Sequence, residues 1–339
     1  MAKKANIYDV AERAGVSHQT VSRVLNNHSS LKPATREKVE KAIAELHYRP
    51  NQAARQLVTS QSRIIGILIA GTELYGPWAI FNAMEQEARK EGYSVISISV
   101  LPDSPDSWHE GIEQLRNLNV DGAITIALPN ALVKEVERTF TNATIVIVDA
   151  EPGKRLDAVN IDNESGGALA TEHLIALGHT EILHITGPVG GYEGRMRRKG
   201  YESAMTAAKL KTDVIEGDWS LSSGYEICKE LLMRKKLPTA IFTANDHLAF
   251  GVMKALREAN VQIPDDVSIV GFDNIPEAEY FSPSLTTISQ RFDQLGNLAI
   301  NRMLSQLKKS GKRETLMITP ELISRESTQK KSSNKGSKK

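Results

Sequence analysis

Apolar positions near the start of the chain recur three and four residues apart. Ile7, Val10, Ala11 and Ala14 form one face of a short helix, with Asn6 placed to cap it. Gly15 can take the left-handed backbone that turns the chain sharply, Val16 can plug the corner, and Ser17 can cap a second helix. The buried side of that helix is Val21, Val24 and Leu25. Pro33 suits the first turn of a third helix over 34–48, where Val39, Ala42, Ile43 and Leu46 keep helical spacing, and Arg49-Pro50 ends it. These faces predict a three-helix domain over residues 1–49.

From Arg63 the pattern changes to solid apolar runs alternating with amphipathic stretches. IIGILIA (64–70) predicts a buried strand and FNAMEQEARKEGY (81–93) the helix packed on it, followed by SVISISV, GAITIAL and TIVIVDAE. A second series begins near Asp162, with strands at EILHITG, TAIFTA and SIVGFD between helical stretches. Such alternation predicts parallel sheets with right-handed crossovers.

The outer side of the second helix shows His18, Gln19, Thr20, Ser22, Arg23 and Asn26, varied polar groups without an acid. Amides and imidazoles suit base edges in a DNA major groove, and hydroxyls and guanidinium suit phosphates. A solvated helical hairpin would show a similar face, so charge matters. Up to Ser60 there are ten Lys/Arg against five Asp/Glu, and the last ten residues add five lysines and no acid. With a net charge of +1 overall, the middle of the chain is acidic. A basic end on an acidic body is an electrostatic footprint for nucleic acid.

Other classes find less support. Cys228 is the single cysteine, which removes any disulfide framework and fits a reducing cytoplasm. Neither a membrane-spanning apolar run nor a signal peptide's apolar core is present, so no membrane association is expected. The chain has no G-x-S-x-G elbow and no H-E-x-x-H, and GPVGGYEG lacks dinucleotide and Walker spacing, so an enzyme is not expected. No cofactor is expected. His173, His179 and His184 make no plausible metal set with Cys228, so no metal is expected either.

IYDVAERAGVSHQTVSRVLN, then TREKVEKAIAELHYRPNQAARQL, then IIGILI, resembles the lactose-repressor/galactose-repressor (LacI/GalR) family of bacterial transcription regulators, and the resemblance runs to about Arg325. It implies an N-terminal all-α helix-turn-helix headpiece with a hinge helix, followed by an α/β periplasmic-binding-protein-like core of two parallel-sheet subdomains. Headpiece 1–49, hinge and linker 50–62, core 63–325 and a polar, lysine-rich, disordered tail 326–339 follow, with crossovers between subdomains near 161, 290 and 320. The hinge implies that Leu57 wedges into a central base step of the minor groove with Ala54 beside it, and that Asn51 and Arg55 lie near backbone and groove. Ile7, Ser17 and Tyr48 join the DNA-contacting set on the same ground. Lys32 departs from the family, where a better helix cap is usual. The tail has no leucine heptads, which implies a homodimer on a double-stranded, pseudo-palindromic operator.

For the core, the resemblance implies a cleft binding a small carbohydrate, lined by residues just after strands. Asp149 ends IVIVD, Asn245 ends IFTAN, Asp273 ends SIVGFD, Gln290 lies at a crossover, and Arg195 and Arg197 follow GPVGGYEG. Carboxylates, amides and a forked guanidinium suit vicinal hydroxyls, and Trp219 offers a flat face to a sugar's C–H side. Leu74, Tyr75, Gly76, Pro77 and Ile80 supply an apolar wall. Asp246 is expected to cap the following helix, leaving Asn245 for ligand. EGDWS with Arg197 and Asp149 resembles the pocket of lactose-type members, which implies a galactoside or other glycoside. Ile126 and Ile161 stand where lactose-type members carry an asparagine and an aromatic, which alters the pocket. A regulator with a non-sugar effector, or one using a corepressor, stays open.

Overall fold

The computed structural model describes residues 5–25, 31–48, 61–71, 73–102, 104–139, 144–153, 156–188, 190–234, 236–308 and 312–331. Contacts divide the chain into two units, Met1–Ser62 and Arg63–Lys339. Asn26, Asn51, Ala54, Arg55 and Leu57, and with them the hinge helix, lie outside the described residues, as does the tail beyond 331.

The first unit holds α1 (Ile7–Ala14), α2 (His18–Leu25) and α3 (Pro33–Glu45). Asn6 caps α1 through a reciprocal box: its side chain accepts from the Tyr8 and Asp9 amides, and Asp9 accepts from the Asn6 amide at 2.7 Å. Gly15 has φ 66°, and the Val16 amide reaches back to the Ala11 carbonyl at 3.0 Å, so the chain turns within two residues. Val10, Val21 and Val39, one from each helix, are fully buried at the centre. Lys32 precedes α3 without a side-chain cap. α3 stops earlier than the apolar spacing suggests: His47 is left-handed (φ 46°), and the Tyr48 amide bonds the Ile43 carbonyl, folding Tyr48 back onto the small core.

The second unit contains two six-stranded sheets. In chain order its elements are β1 (Ile64–Ala70), α4 (Tyr75–Lys90), β2 (Ser94–Val100), α5 (Pro105–Asn117), β3 (Gly122–Ile126), α6 (Asn130–Thr139), β4 (Thr144–Val148) and β5 (Asp157–Ile161). Then come α7 (Asn163–Ala176), β6 (Ile182–Thr186), α8 (Tyr192–Ala207), β7 (Asp213–Glu216), α9 (Leu221–Leu232), β8 (Ala240–Thr243), α10 (Asp246–Glu258) and β9 (Ser268–Asp273). β10 (Thr286–Ser289), α11 (Phe292–Leu307), β11 (Thr315–Ile318) and β12 (Glu321–Ile323) complete it.

The first sheet, β11-β5-β4-β3-β1-β2, is parallel throughout. The second, β12-β10-β9-β8-β6-β7, is parallel except for edge strand β12, which runs against β10. The chain passes between sheets after β5, after β10 and after β11. Strand alternation divides the core into layers. Ile65, Ile67 and Ile69 of β1 meet α4 and α11, whereas Leu68 and Ala70 meet the layer of Trp108 and Ile112. Buried Arg302 on α11 ties this subdomain together, its Nε donating to Asp157 at 2.7 Å and its second nitrogen bonding Glu314 at 2.6 Å.

In the second subdomain α7 and α8 touch at backbone distance. A Cβ on Gly167 would sit 2.1 Å from the Arg197 carbonyl oxygen, and one on Gly200 2.0 Å from that of Glu164. Only glycine permits this approach. Residues 326–331, expected to begin a disordered tail, pack on the core instead. Ser327 is fully buried, its Oγ donates to the Ile269 carbonyl at 2.7 Å and accepts from the Thr286 amide at 2.8 Å. The Lys331 amide bonds the Leu177 carbonyl at 2.8 Å. Polar composition hid this segment because it docks by hydrogen bonds rather than by an apolar face.

Candidate nucleic-acid interface and effector cleft

On α2, Val21 and Val24 are buried, while Ser17, His18, Gln19 and Arg23 are exposed and Thr20 and Ser22 half-buried. Ser17 caps the helix, its Oγ accepting from the Thr20 amide at 3.2 Å. Among the described residues, the face predicted to meet DNA is therefore polar, and the start of its helix is capped. Tyr8, which sequence reasoning missed, stands 65% exposed on α1 with its ring 5.2 Å from that of His18. An exposed aromatic at the second position of a polar helix start was the available signal. Ile7 and Tyr48 are half-buried against the mini-core. Burial raises the Tyr48 phenol above its ordinary pKa.

The cleft lies where both sheets present the carboxyl ends of their strands. Its cavity volume is about 50 Å³, below the several hundred cubic ångströms usual for a small-molecule site, so the two sides stand close together here. Leu74, Tyr75, Gly76, Pro77, Ile80 and Ile126 line one side, joined by Ala127, Phe292 and Asp149. Glu193, Arg197, Trp219, Asn245, Asp273 and Gln290 line the other. Of the residues predicted for the effector, only Arg195 stays outside this set. It is one-third exposed and pairs with Glu151 at 2.6 Å. Ile161 is fully buried in the first core and does not reach the cavity.

Arg197, 3% exposed, organises the polar side. Its Nε donates to Asn163 Oδ1 at 2.8 Å, and its Nη1 donates to the Ala244 carbonyl at 2.5 Å and lies 3.6 Å from Asp273. The guanidinium sits 4.0 Å from the Phe272 ring centroid and 5.4 Å from that of Trp219. Asn163, also missed from the sequence, passes the link on by donating to Asp149 at 3.0 Å. Gln290 donates its amide nitrogen to Asp273.

Buried Asn160 grips both backbone groups of Ala150 and so positions Asp149. Ala127, Asp149, Trp219 and Asp273 all have left-handed φ (55°, 49°, 73° and 115°). Strained backbone of this kind persists only where surroundings hold it, and it clusters at binding sites. For Trp219 the holders are the Asn245 side chain, which donates to its carbonyl at 2.9 Å, and Gly187, whose absent Cβ leaves room for the indole.

The caps at the start of α10 are the reverse of the sequence expectation. Asn245 is the N-cap, accepting from the Leu248 amide at 2.9 Å. Asp246, fully buried, accepts from the Ile275 amide at 2.9 Å and the Thr287 hydroxyl at 2.6 Å, bracing β9 and β10. Its carboxyl is pushed well up by burial and then by the charge of Asp273. Burial also carries Asp273 up to about 7, opposed by Arg197. Glu193 rises to about 7 by desolvation and the Asp149 charge, and Asp149 is itself raised by burial.

Residues 171–328 match a periplasmic binding protein-like domain, and residues 6–51 match the bacterial regulatory proteins of the lacI family. The lactose operon repressor of Escherichia coli (strain K12) is 34% identical over 328 residues, covering 96% of this chain and 91% of the relative. The chain belongs to the lacI family. It is a DNA-binding transcriptional repressor of that family, and not an enzyme. The HTH-type transcriptional repressor PurR of Haemophilus influenzae (strain ATCC 51907 / DSM 11121 / KW20 / Rd) is 35% identical over 331 residues, covering 95% of this chain and 98% of the relative. A crystal structure of the lac repressor dimer bound to operator and the anti-inducer ONPF superposes with a TM-score of 0.89 at 34% identity, covering 96% of this chain and 100% of that one. Among the described residues, no helix is long and apolar enough to cross a membrane.

Proposed function

We propose that this lacI-family repressor acts in the bacterial cytoplasm as a homodimer on a pseudo-palindromic operator and is released by a small sugar, a galactoside or another glycoside, bound in the cleft. His18 and Gln19 read base edges, with Thr20, Ser22, Arg23 and Asn26 completing the contact through bases and phosphates, and Leu57 of each hinge meets the centre of the site. The observation that carries the effector reading is the convergence of Asp149, Arg197, Asn245, Asp273 and Gln290 on one cavity beside the Trp219 ring. These groups pair with vicinal hydroxyls, and the indole covers an apolar sugar face. The ligand shifts the repressor only by preferring one arrangement of the two subdomains, since equal affinity for both moves nothing.

A purine effector is the second reading, favoured by the PurR relative and by the aromatic faces of Trp219 and Phe292. Thermal-shift titration with galactosides, glucosides, free hexoses and purine bases separates the two. Stabilisation by a sugar alone supports the first reading, and stabilisation by a purine alone replaces it. Selection of binding sites from randomised DNA tests the recognition helix. Gln19→Ala should relax preference at one or two base pairs, worth about 1–3 kcal/mol each, whereas Arg23→Ala should weaken all sequences alike.

A further inference from the structure

The cleft holds more acid than base. Among the described residues, Asp149, Glu193 and Asp273 line it, against the single cation Arg197. That cation is engaged already by Asn163, the Ala244 carbonyl and Asp273. Glu193 forms no ion pair among the described residues, because nearby Arg195 pairs with Glu151. A second observation points the same way. Gln290 is 1% exposed and spends its amide nitrogen on Asp273, which leaves its Oε1 as a buried acceptor with no partner in the cavity wall. The buried wall atom left without a partner is therefore an acceptor. Among the described residues no three His, Cys, Asp or Glu side chains are grouped to hold a metal ion, so a bound cation is not the complement.

Resting on the sugar reading, we propose that the effector is an amino sugar, its protonated amine seated between Glu193 and Asp149 and its hydroxyls donating to Asp273 and Gln290. An ammonium supplies three donors and a positive charge, and charge-assisted bonds are about twice as strong as neutral ones. The raised carboxyls of Glu193 and Asp273 fit a site that lacks its positive partner when empty. Arg195, Arg197, Asp149 and Asp273 are the charged groups around this position, and the nearby Tyr192 phenol is itself raised by burial and the Asp149 charge.

Isothermal titration calorimetry of the full chain tests this with glucosamine and galactosamine, their N-acetyl derivatives, and glucose and galactose. The free amines should bind at least about tenfold more tightly than either neutral set, the gain expected of one charge-assisted contact. Glu193→Gln should bring the amine-to-hexose affinity ratio close to one, and Glu193→Asp should restore part of it. Hexoses binding as tightly as hexosamines, or an unchanged ratio in Glu193→Gln, would overturn the proposal while leaving the sugar reading intact. No binding by any of these sugars would overturn the proposal, and the galactosides and glucosides of the thermal-shift panel then decide the sugar reading separately. The wild-type ratio is decisive even if the variants fold poorly.

Discussion

The two sides of the cleft rest on sheets of the same parallel kind yet offer opposite chemistry. The side built on β1, β3 and α4 is a smooth apolar wall with one carboxylate, Asp149. The side built on β8, β9 and α8 carries a buried guanidinium, two acids, two amides and an indole. An apolar wall can slide over a ligand with little angular preference, whereas the polar side fixes each atom's place. On the proposed reading, the second subdomain sets specificity and the first shields the ligand from water, which strengthens each polar contact.

Removing Arg197 should break this contrast most severely. Arg197→Ala leaves Asp273 and Asp149 buried without their cation, a loss of about 3–5 kcal/mol in urea unfolding. Arg197→Lys, which keeps charge but not the fork, should fall between that variant and the parent. Ile126→Asn places an amide on the apolar wall, where Ile126 is fully buried. A loss of about 1–3 kcal/mol should follow from the unpaired amide, together with a changed ranking of sugars. A variant as stable as the parent would show that the wall is already wet.

The smallest effect concerns pH. The folded pKa of Asp273 is raised from 3.8 to about 7, so the folded chain holds this proton more tightly than the unfolded one. Its contribution to stability is complete below about pH 4 and is lost as pH rises through 7. Glu193 acts in the same direction. His184, lowered to about 3 by burial, acts oppositely. Comparing Asp273→Asn with the parent cancels both, and the variant's melting temperature should fall less steeply between pH 5 and 8. Parallel slopes would mean that Asp273 is ionised in the apo fold.

Much of the fold was legible because parallel strands buried on both faces read as continuous apolar runs, as IIGILIA and TIVIVDAE do. Strands such as Asp157–Ile161 and Asp213–Glu216 were missed, since DAVNI and DVIE have neither a long run nor clean alternation. In the cleft, strand-end carboxylates were visible but their partners were not. Asn163 follows a crossover and looks like any helix-start residue. Glu193 sits beside glycines that resemble a loop, yet α8 has already begun at Tyr192. Arg195 and Arg197 could have been told apart, because positions two apart on a helix face different ways and only one can enter a cleft. The exchange between Asn245 and Asp246 was invisible, as either side chain can cap and the helix start decides which does.

On the proposed reading, a ligand in this cleft controls the grip of α2 on DNA. The direct test is fluorescence anisotropy of labelled DNA from beside the protein's own gene, titrated with full-length protein at fixed salt and then with hexosamines and glycosides. Tight binding to a pseudo-palindromic segment, reversed by one of these sugars in the parent but not in Arg197→Lys, is the predicted result. DNA affinity that no cleft ligand alters, although calorimetry shows the ligand bound, would contradict it.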